Sequence, residues 1–364
     1  MLVAVEATRF VRDTRGIGRY MRALIPRLLE ARPELSIALH VRDREQAARA
    51  ETIVTSLETD PARVTIRTVA ELRDSPADVF WYPWNYADPL PRRGPVVVTI
   101  HDVAPLALPD TRWSAVFRNM LWRRRYARAA ADATIVITDS EFTASEVHRL
   151  LGVPRERIRV AHLGADDLRG NAASGDAAIL SRLAVNPPFF LTVGSDDRRK
   201  NLATAVRAVG RIVESGHQVT LVQAGNRRNR GAHAADRRAA WLQPVAFIGD
   251  PELAALYRNT AGLIAPSIYE GFGLPVLEAM TLGAPVVCAR AASLPEVAGD
   301  AAAWFEPHDD AALAATLTAL LRDPALVSRM RDASLRRAAQ FSWTDTAQRT
   351  LAAFDAARAL AGDR

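Results

Sequence analysis

The 364-residue chain contains a single cysteine, Cys288, which excludes an intramolecular disulfide. Cys288 lies in an apolar stretch and reads as a small core side chain rather than a nucleophile. Long apolar runs are missing as well. The longest stretch without a charged residue, 183–195, falls short of the roughly 18 apolar residues that a membrane-spanning helix needs. The opening residues, Met1-Leu2-Val3-Ala4-Val5-Glu6, have no basic leader and no apolar run of secretory length, so the expected location is the cytoplasm. Lysine is nearly absent, since of 47 basic residues only Lys200 is not arginine. A compact ammonium kept at one place in an arginine-rich chain suits contact with phosphate, and a chance survivor on a solvated surface is the alternative.

The formal net charge is +6 and the sequence pI about 10.0. Residues 1–165 hold 25 basic and 20 acidic residues, so almost all of the excess belongs there. It is densest between Arg112 and Arg128, which include six arginines and no acid. Such a distribution favours an anionic partner. The familiar motifs of nucleic-acid readers are missing, which argues against nucleic acid as that partner.

A chain of this length with 49% hydrophobic residues can bury more than one core, and two domains are expected. Short β-branched runs alternate with amphipathic segments throughout, the pattern of parallel strands joined by helices. Candidate strands fall at 2–5, 36–41, 64–69, 79–82, 96–100, 134–138 and 158–161, then at 189–193, 219–223, 245–248, 262–265 and 285–288. Residues 166–187, rich in Gly, Ala, Ser, Asp and Asn and ending in Asn-Pro-Pro, read as a linker. The expectation is therefore an α/β protein of two doubly wound Rossmann-like domains, 1–165 and 188–342, facing a deep cleft at the carboxyl ends of their strands. A final helix, 343–364, is expected to return to the first domain.

The loops that follow strands carry the chemistry. In Glu270-Gly271-Phe272-Gly273-Leu274-Pro275-Val276-Leu277-Glu278 the glycines allow close backbone approach to a ligand, and Pro275 suits the first position of a helix. The free N–H groups of that helix end form a site for phosphate oxygens. Glu278, expected in the first turn, can present both oxygens to the vicinal diol of a ribose, with Glu270 facing another part of the same ligand. The alternative is a pair of helix-capping carboxylates. His101-Asp102 follows the apolar run 96–100, and a structural histidine competes there with a catalytic one.

Taken together these segments resemble the family-four retaining nucleotide-sugar glycosyltransferases of the GT-B fold, most of all bacterial mannosyltransferases of surface polysaccharide synthesis. The resemblance rests on Gly16-Ile17-Gly18-Arg19-Tyr20, Thr99-Ile100-His101-Asp102, Val193-Gly194 with Arg199-Lys200-Asn201-Leu202, Pro266-Ser267 through Met280, Gly283-Ala284-Pro285-Val286-Val287 and Phe341-Ser342-Trp343. It implies that Arg199 and Lys200 hold the donor diphosphate, that Glu278 binds the ribose and Glu270 the hexose, and that His101 contacts the transferred sugar. Gly16, Gly18, Gly194, Ser195 and the backbone of Gly271, Phe272, Gly273 and Leu274 complete the donor site by the same resemblance. Ser195 stands where members of the family often carry a further arginine. The resemblance also implies retention through a front-face route, in which the leaving phosphate oxygen helps take the acceptor proton. No Asp-x-Asp triplet occurs, so the metal clamp of the other major glycosyltransferase fold is missing and neither a metal nor another cofactor is expected.

Two surfaces of the first domain are acceptor or membrane candidates. Residues 113–128 read as a helix whose stripe of Trp113, Val116, Phe117, Met120 and Leu121 faces inward. Trp122 and Tyr126, flanked by Arg118 and Arg125, then face outward and suit an anionic membrane surface or a lipid-linked acceptor, with a plain solvated face as the alternative. Trp81, Tyr82, Trp84 and Tyr86 read either as a sugar-stacking wall or as buried aromatics. The activity expected is transfer of a hexose, with GDP-mannose the first donor candidate, to a glycan or lipid-linked acceptor at the inner membrane face. A catalytically silent nucleotide-sugar-binding subunit and an epimerase or hydrolase on the same fold are the other readings.

Overall fold

The computed structural model describes residues 1–13, 16–57, 59–170, 173–195, 197–225, 239–246 and 249–362. The chain divides into two compact units, Met1–Gly164 with the segment from Ser342 onward, and Ala165–Phe341. In the first unit seven strands, β1 (Leu2–Glu6), β2 (Ser36–Val41), β3 (Val64–Thr68), β4 (Val79–Tyr82), β5 (Val96–Ile100), β6 (Ile135–Thr138) and β7 (Ile158–Val160), form one sheet. Its order is β3-β2-β1-β4-β5-β6-β7 and every pairing is parallel. The strands are near-continuous apolar runs because helices cover both faces; β5, Val-Val-Val-Thr-Ile, and β6, Ile-Val-Ile-Thr, are buried along their whole length.

The second unit holds β8 (Phe189–Val193), β9 (Thr220–Ala224), β10 (Leu242–Val245), β11 (Gly262–Ala265), β12 (Val286–Ala289) and β13 (Ala302–Phe305). They form a second parallel sheet, β10-β9-β8-β11-β12-β13. β10 begins earlier than the run expected at 245–248, of which Phe247 and Ile248 lie outside the described residues. β13 was not among the expected strands. Its sequence, Ala-Ala-Trp-Phe, has no β-branched residue, and among the described residues it stands at the sheet edge, paired with β12.

Strand order reverses between β1 and β4 in the first sheet and between β8 and β11 in the second. Loops at such points splay apart and leave room for a ligand at the carboxyl ends of the strands. The expected linker 166–187 is corrected. A turn at Asp166–Gly170 and a helix at Asp176–Arg182 pack within the second unit, where Arg258 Nε donates to Asp176 Oδ2 at 2.8 Å. The helix Trp343–Gly362 belongs to the first unit. Arg32 grips Asp355 through two hydrogen bonds of 2.7 and 2.6 Å, and Phe354 packs edge-on against Trp81. Among the described residues no single helix is long and apolar enough to cross a membrane.

Candidate active site

The loops after β8 and β11 flank the reversal point of the second sheet. β8 is followed by Gly194, whose φ of +138° suits only glycine, and a Cβ there would sit 3.2 Å from Lys200 Cε. Asp197 caps the turn Arg198–Lys200 by accepting from the Arg199 backbone N–H at 3.1 Å, and Ser195 Oγ donates to the same carboxylate at 3.0 Å. Asn201, left-handed at φ +49°, donates from Nδ2 to the Pro266 carbonyl at 3.0 Å. Ile268 N donates to Arg199 O at 2.8 Å. These two bonds lash the turn after β8 to the loop after β11.

The result is an ion cluster. Lys200 Nζ donates to Glu270 Oε1 at 2.6 Å, Ser267 Oγ donates to the same oxygen at 2.7 Å, and Arg199 Nη1 lies 3.4 Å from Oε2. Burial alone would push the Glu270 pKa up. The Lys200 and Arg199 charges outweigh it and hold the carboxyl below its ordinary value. The resemblance implied separate duties for these residues; in the structure they form one cluster. Lys200, Ser267 and Glu270 line a single cavity together with Gly194, Ser195 and Gly273.

The glycine loop is fixed from behind by Ser293, whose Oγ lies 3.0 Å from the Glu270 carbonyl and 2.7 Å from that of Phe272. The Phe272 ring packs edge-on against Phe341, which gives it a core contact alongside its place in the loop. Gly273 has φ +104°, and a Cβ there would meet the Leu294 side chain at 2.9 Å. The helix Leu274–Thr281 starts immediately after it, with Pro275 second rather than first. Glu278 is consequently the fifth helical residue, one position later than expected and just past the first turn. It is buried and accepts from the Tyr257 hydroxyl at 2.9 Å.

In the first unit His101 follows β5 and Asp139 follows β6. His101 Nδ1 is 2.7 Å from Asp139 Oδ2, and Nε2 is 3.0 Å from the Pro83 carbonyl. Burial would lower the imidazole pKa, but the Asp139 charge and hydrogen bond, helped by Pro83 O, hold it above the usual histidine value. Both ring nitrogens therefore face acceptors, an arrangement that favours the protonated ring. Its orientation is set further by Asn85, which accepts the His101 backbone N–H at 2.8 Å, and by the edge of Tyr20 at 5.0 Å. Asp139 and Tyr257 were not picked out in the sequence. Asp139 had a weak signal, an acid directly after an apolar strand; Tyr257 had none.

Gly16 and Gly18 sit at the start of the helix Ile17–Ala31. A Cβ on Gly18 would lie 1.8 Å from the Asp13 carbonyl oxygen, so that glycine is required by packing alone. The aromatic wall is corrected. Trp81, Tyr82 and Trp84 are buried, Trp81 Nε1 donates to Thr99 Oγ1 at 3.0 Å, and Trp84 Nε1 donates to Glu6 Oε2 at 2.7 Å beneath the Arg9 guanidinium. These rings fill the core because their polar atoms find buried partners there.

The basic helix is corrected as well. It runs Val116–Asp132 after a turn at Trp113–Ala115, and its two faces are reversed. Tyr126 is buried and accepts from Asn85 Nδ2 at 2.8 Å. Trp122 packs on the core of the unit, and the Arg125 guanidinium lies over the Trp122 and Tyr86 rings. Arg118 is tied to Asp110 at 2.5 Å. The stripe expected to face inward is exposed: Trp113 94%, Phe117 66%, Val116 58%, Met120 40% and Leu121 39%.

Two parallel Rossmann-like sheets in tandem, with a phosphate-type helix terminus and a cation pair after β8, define the GT-B class of glycosyltransferase. Residues 14–169 match the family described as Glycosyltransferase Family 4, and residues 181–337 match Glycosyl transferases group 1. The chain belongs to this family of group 1, family 4 glycosyltransferases and is a hexosyltransferase. It is 28% identical to O-antigen chain mannosyltransferase B of Escherichia coli, over 93% of this chain and 95% of that one. It is 30% identical to the MMP α-(1→4)-mannosyltransferase of Mycolicibacterium hassiacum, over 72% of this chain and 66% of that one. The fold matches the crystal structure of Anabaena HepE in complex with UDP-glucose with a TM-score of 0.71 at 16% identity, covering 96% of this chain and 99% of that one.

Proposed function

We propose that this enzyme is a retaining mannosyltransferase that moves mannose from GDP-mannose to a glycan or lipid-linked acceptor in O-antigen-type polysaccharide synthesis, in the cytoplasm at the inner face of the membrane. The two relatives above, both mannosyltransferases by name, support the sugar. The observation that carries the reading is the cluster of Lys200 and Arg199 around the buried Glu270 beside the glycine loop. When the nucleoside diphosphate departs, negative charge develops on it, and Arg199 and Lys200 stabilise that charge without a metal ion. Glu270 binds hexose hydroxyls, Glu278 binds the ribose, and the N–H groups from Gly271 to Leu274 lie along the phosphate and sugar. Both ring nitrogens of His101 face Asp139 and Pro83, so in this reading it contacts the transferred sugar without taking the acceptor proton. This suits the front-face route, where the leaving phosphate oxygen accepts that proton.

The test is a panel of nucleotide sugars incubated with the full chain, with and without lipid-linked and glycan acceptors, following nucleoside diphosphate release and the anomeric configuration of the product. Release should be fastest with GDP-mannose, should need acceptor, and should give the donor's anomeric configuration. Release at the same rate without acceptor would make the chain a hydrolase. No release with any donor would make it a silent binding subunit.

A further inference from the structure

Six of the eight exposed large apolar side chains among the described residues come from one short segment: Leu108, Trp113, Val116, Phe117, Met120 and Leu121. On the helix Val116–Asp132, Trp122, Tyr126 and Ala129 take the inward face, so positions 117, 120, 124 and 128 point away from the core. This outer face is apolar over its first turns and basic over its last. Its charges are one-sided. Asp110 is occupied by Arg112 and Arg118, and Asp132 pairs with Arg128 at 3.4 Å, while no acid lies between Arg112 and Arg128.

Beside the helix opens a cleft of about 410 Å³, lined by Leu106, Pro109, Leu150 and Leu151 and bordered by Arg123 and Arg124. No ion pair joins either arginine to a carboxylate among the described residues, and both are exposed. A protein partner would satisfy the apolar stripe or the arginines, but the combination of an apolar face, a basic flank and a greasy cleft with cations at its rim matches the two layers of a lipid leaflet.

We propose that the segment 108–128 is an interfacial anchor for an anionic phospholipid leaflet, with Trp113, Phe117 and Met120 inserted among the acyl chains. Arg123 and Arg124 bind a lipid phosphate at the rim of the cleft. This rests on the reading that the enzyme works at a membrane face, and it moves the contact from Trp122 and Tyr126 to the opposite side of the helix.

The full chain is sedimented with vesicles of phosphatidylcholine alone or mixed with phosphatidylglycerol. It should bind only the anionic vesicles, with binding that weakens as salt rises. Trp113→Ser with Phe117→Ser should lower the partition coefficient at least about tenfold. Arg123→Gln with Arg124→Gln should lower it by roughly thirtyfold, the factor for two arginines at an anionic surface, and should flatten the salt dependence. All four positions are exposed, so both variants should melt like the parent and turn over a soluble acceptor at the parent rate. Absence of binding to anionic vesicles, or binding that both variants retain, overturns the proposal. So does a lipid-free dimer that Trp113→Ser with Phe117→Ser abolishes, since a second copy would then cover the face. If vesicle binding holds while no donor is turned over, the functional reading alone fails; the converse sinks only the anchor.

Discussion

Replacing Lys200 by methionine removes the cation 2.6 Å from a buried carboxylate while keeping the length of the side chain. Breaking a buried pair on one side costs about 3–5 kcal/mol, because the remaining charge is left uncompensated. Arg199, 3.4 Å away, and Ser267 still serve Glu270, which places the expected loss at the lower end, about 3 kcal/mol. For a unit of this size that lowers the melting temperature by roughly 6–12 °C. The loss should depend on pH with a defined sign. In the parent the Glu270 pKa is depressed, so its contribution is complete above the unfolded value and disappears as pH falls through the folded one. In the variant burial dominates and raises the pKa, so protonation relieves the strain and the gap to the parent narrows as pH falls from about 8 to about 5. Thermal melts at the two pH values, repeated for Glu270→Gln and for the double variant, measure the coupling, expected near 2 kcal/mol. Nucleoside diphosphate release should fall by about a hundredfold or more in Lys200→Met. A coupling indistinguishable from zero, or a gap that widens toward acid, would refute the account of this cluster.

Three further outcomes follow from the geometry. An NMR titration of His101 should have its midpoint above the ordinary value of about 6.5, and Asp139→Asn should move it below. The matching stability is present below about pH 6.5 and lost as pH rises through the raised folded value, so Asp139→Asn should flatten the pH dependence of melting across that window. Glu278→Ala should weaken nucleoside diphosphate binding about tenfold or more, measured as lost thermal protection, because a charge-assisted contact to the ribose contributes about 1.5–3 kcal/mol. Trp84→Phe removes the donor to buried Glu6 and should cost about 1–3 kcal/mol in melting experiments, while the KM for acceptor stays at the parent value. A raised KM with unchanged stability would restore Trp84 to an acceptor wall.

Most of the sheet architecture was legible because strands buried on both faces must be apolar throughout, and runs such as Val96–Ile100 are separated by turn residues. Strand β13 escaped because an alanine-rich edge strand lacks that pattern. Helix periodicity shows which side chains share a face but not which face the core takes. Residues 113–128 carry apolar groups on both sides, and periodicity alone points the larger stripe to the interior. Packing chose the other, since Tyr126 finds Asn85 and Trp122 finds the core there. The row of aromatics in and just after β4 poses the same problem. A ring that stacks on sugar and a ring that fills a core have the same spelling, and only the partners of Trp81 and Trp84 decide.

By itself, then, the sequence determined the two Rossmann-like sheets, the glycine loop with its two glutamates, the lone lysine and the strand-end histidine, because each depends on local spacing and residue type. The tertiary structure decided which of these groups meet. Lys200 and Glu270 are 70 residues apart, and His101 and Asp139 are 38 apart. They come within hydrogen-bond distance because β11 lies beside β8 and β6 beside β5, and strand order across a sheet is set by long-range pairing that no local window contains.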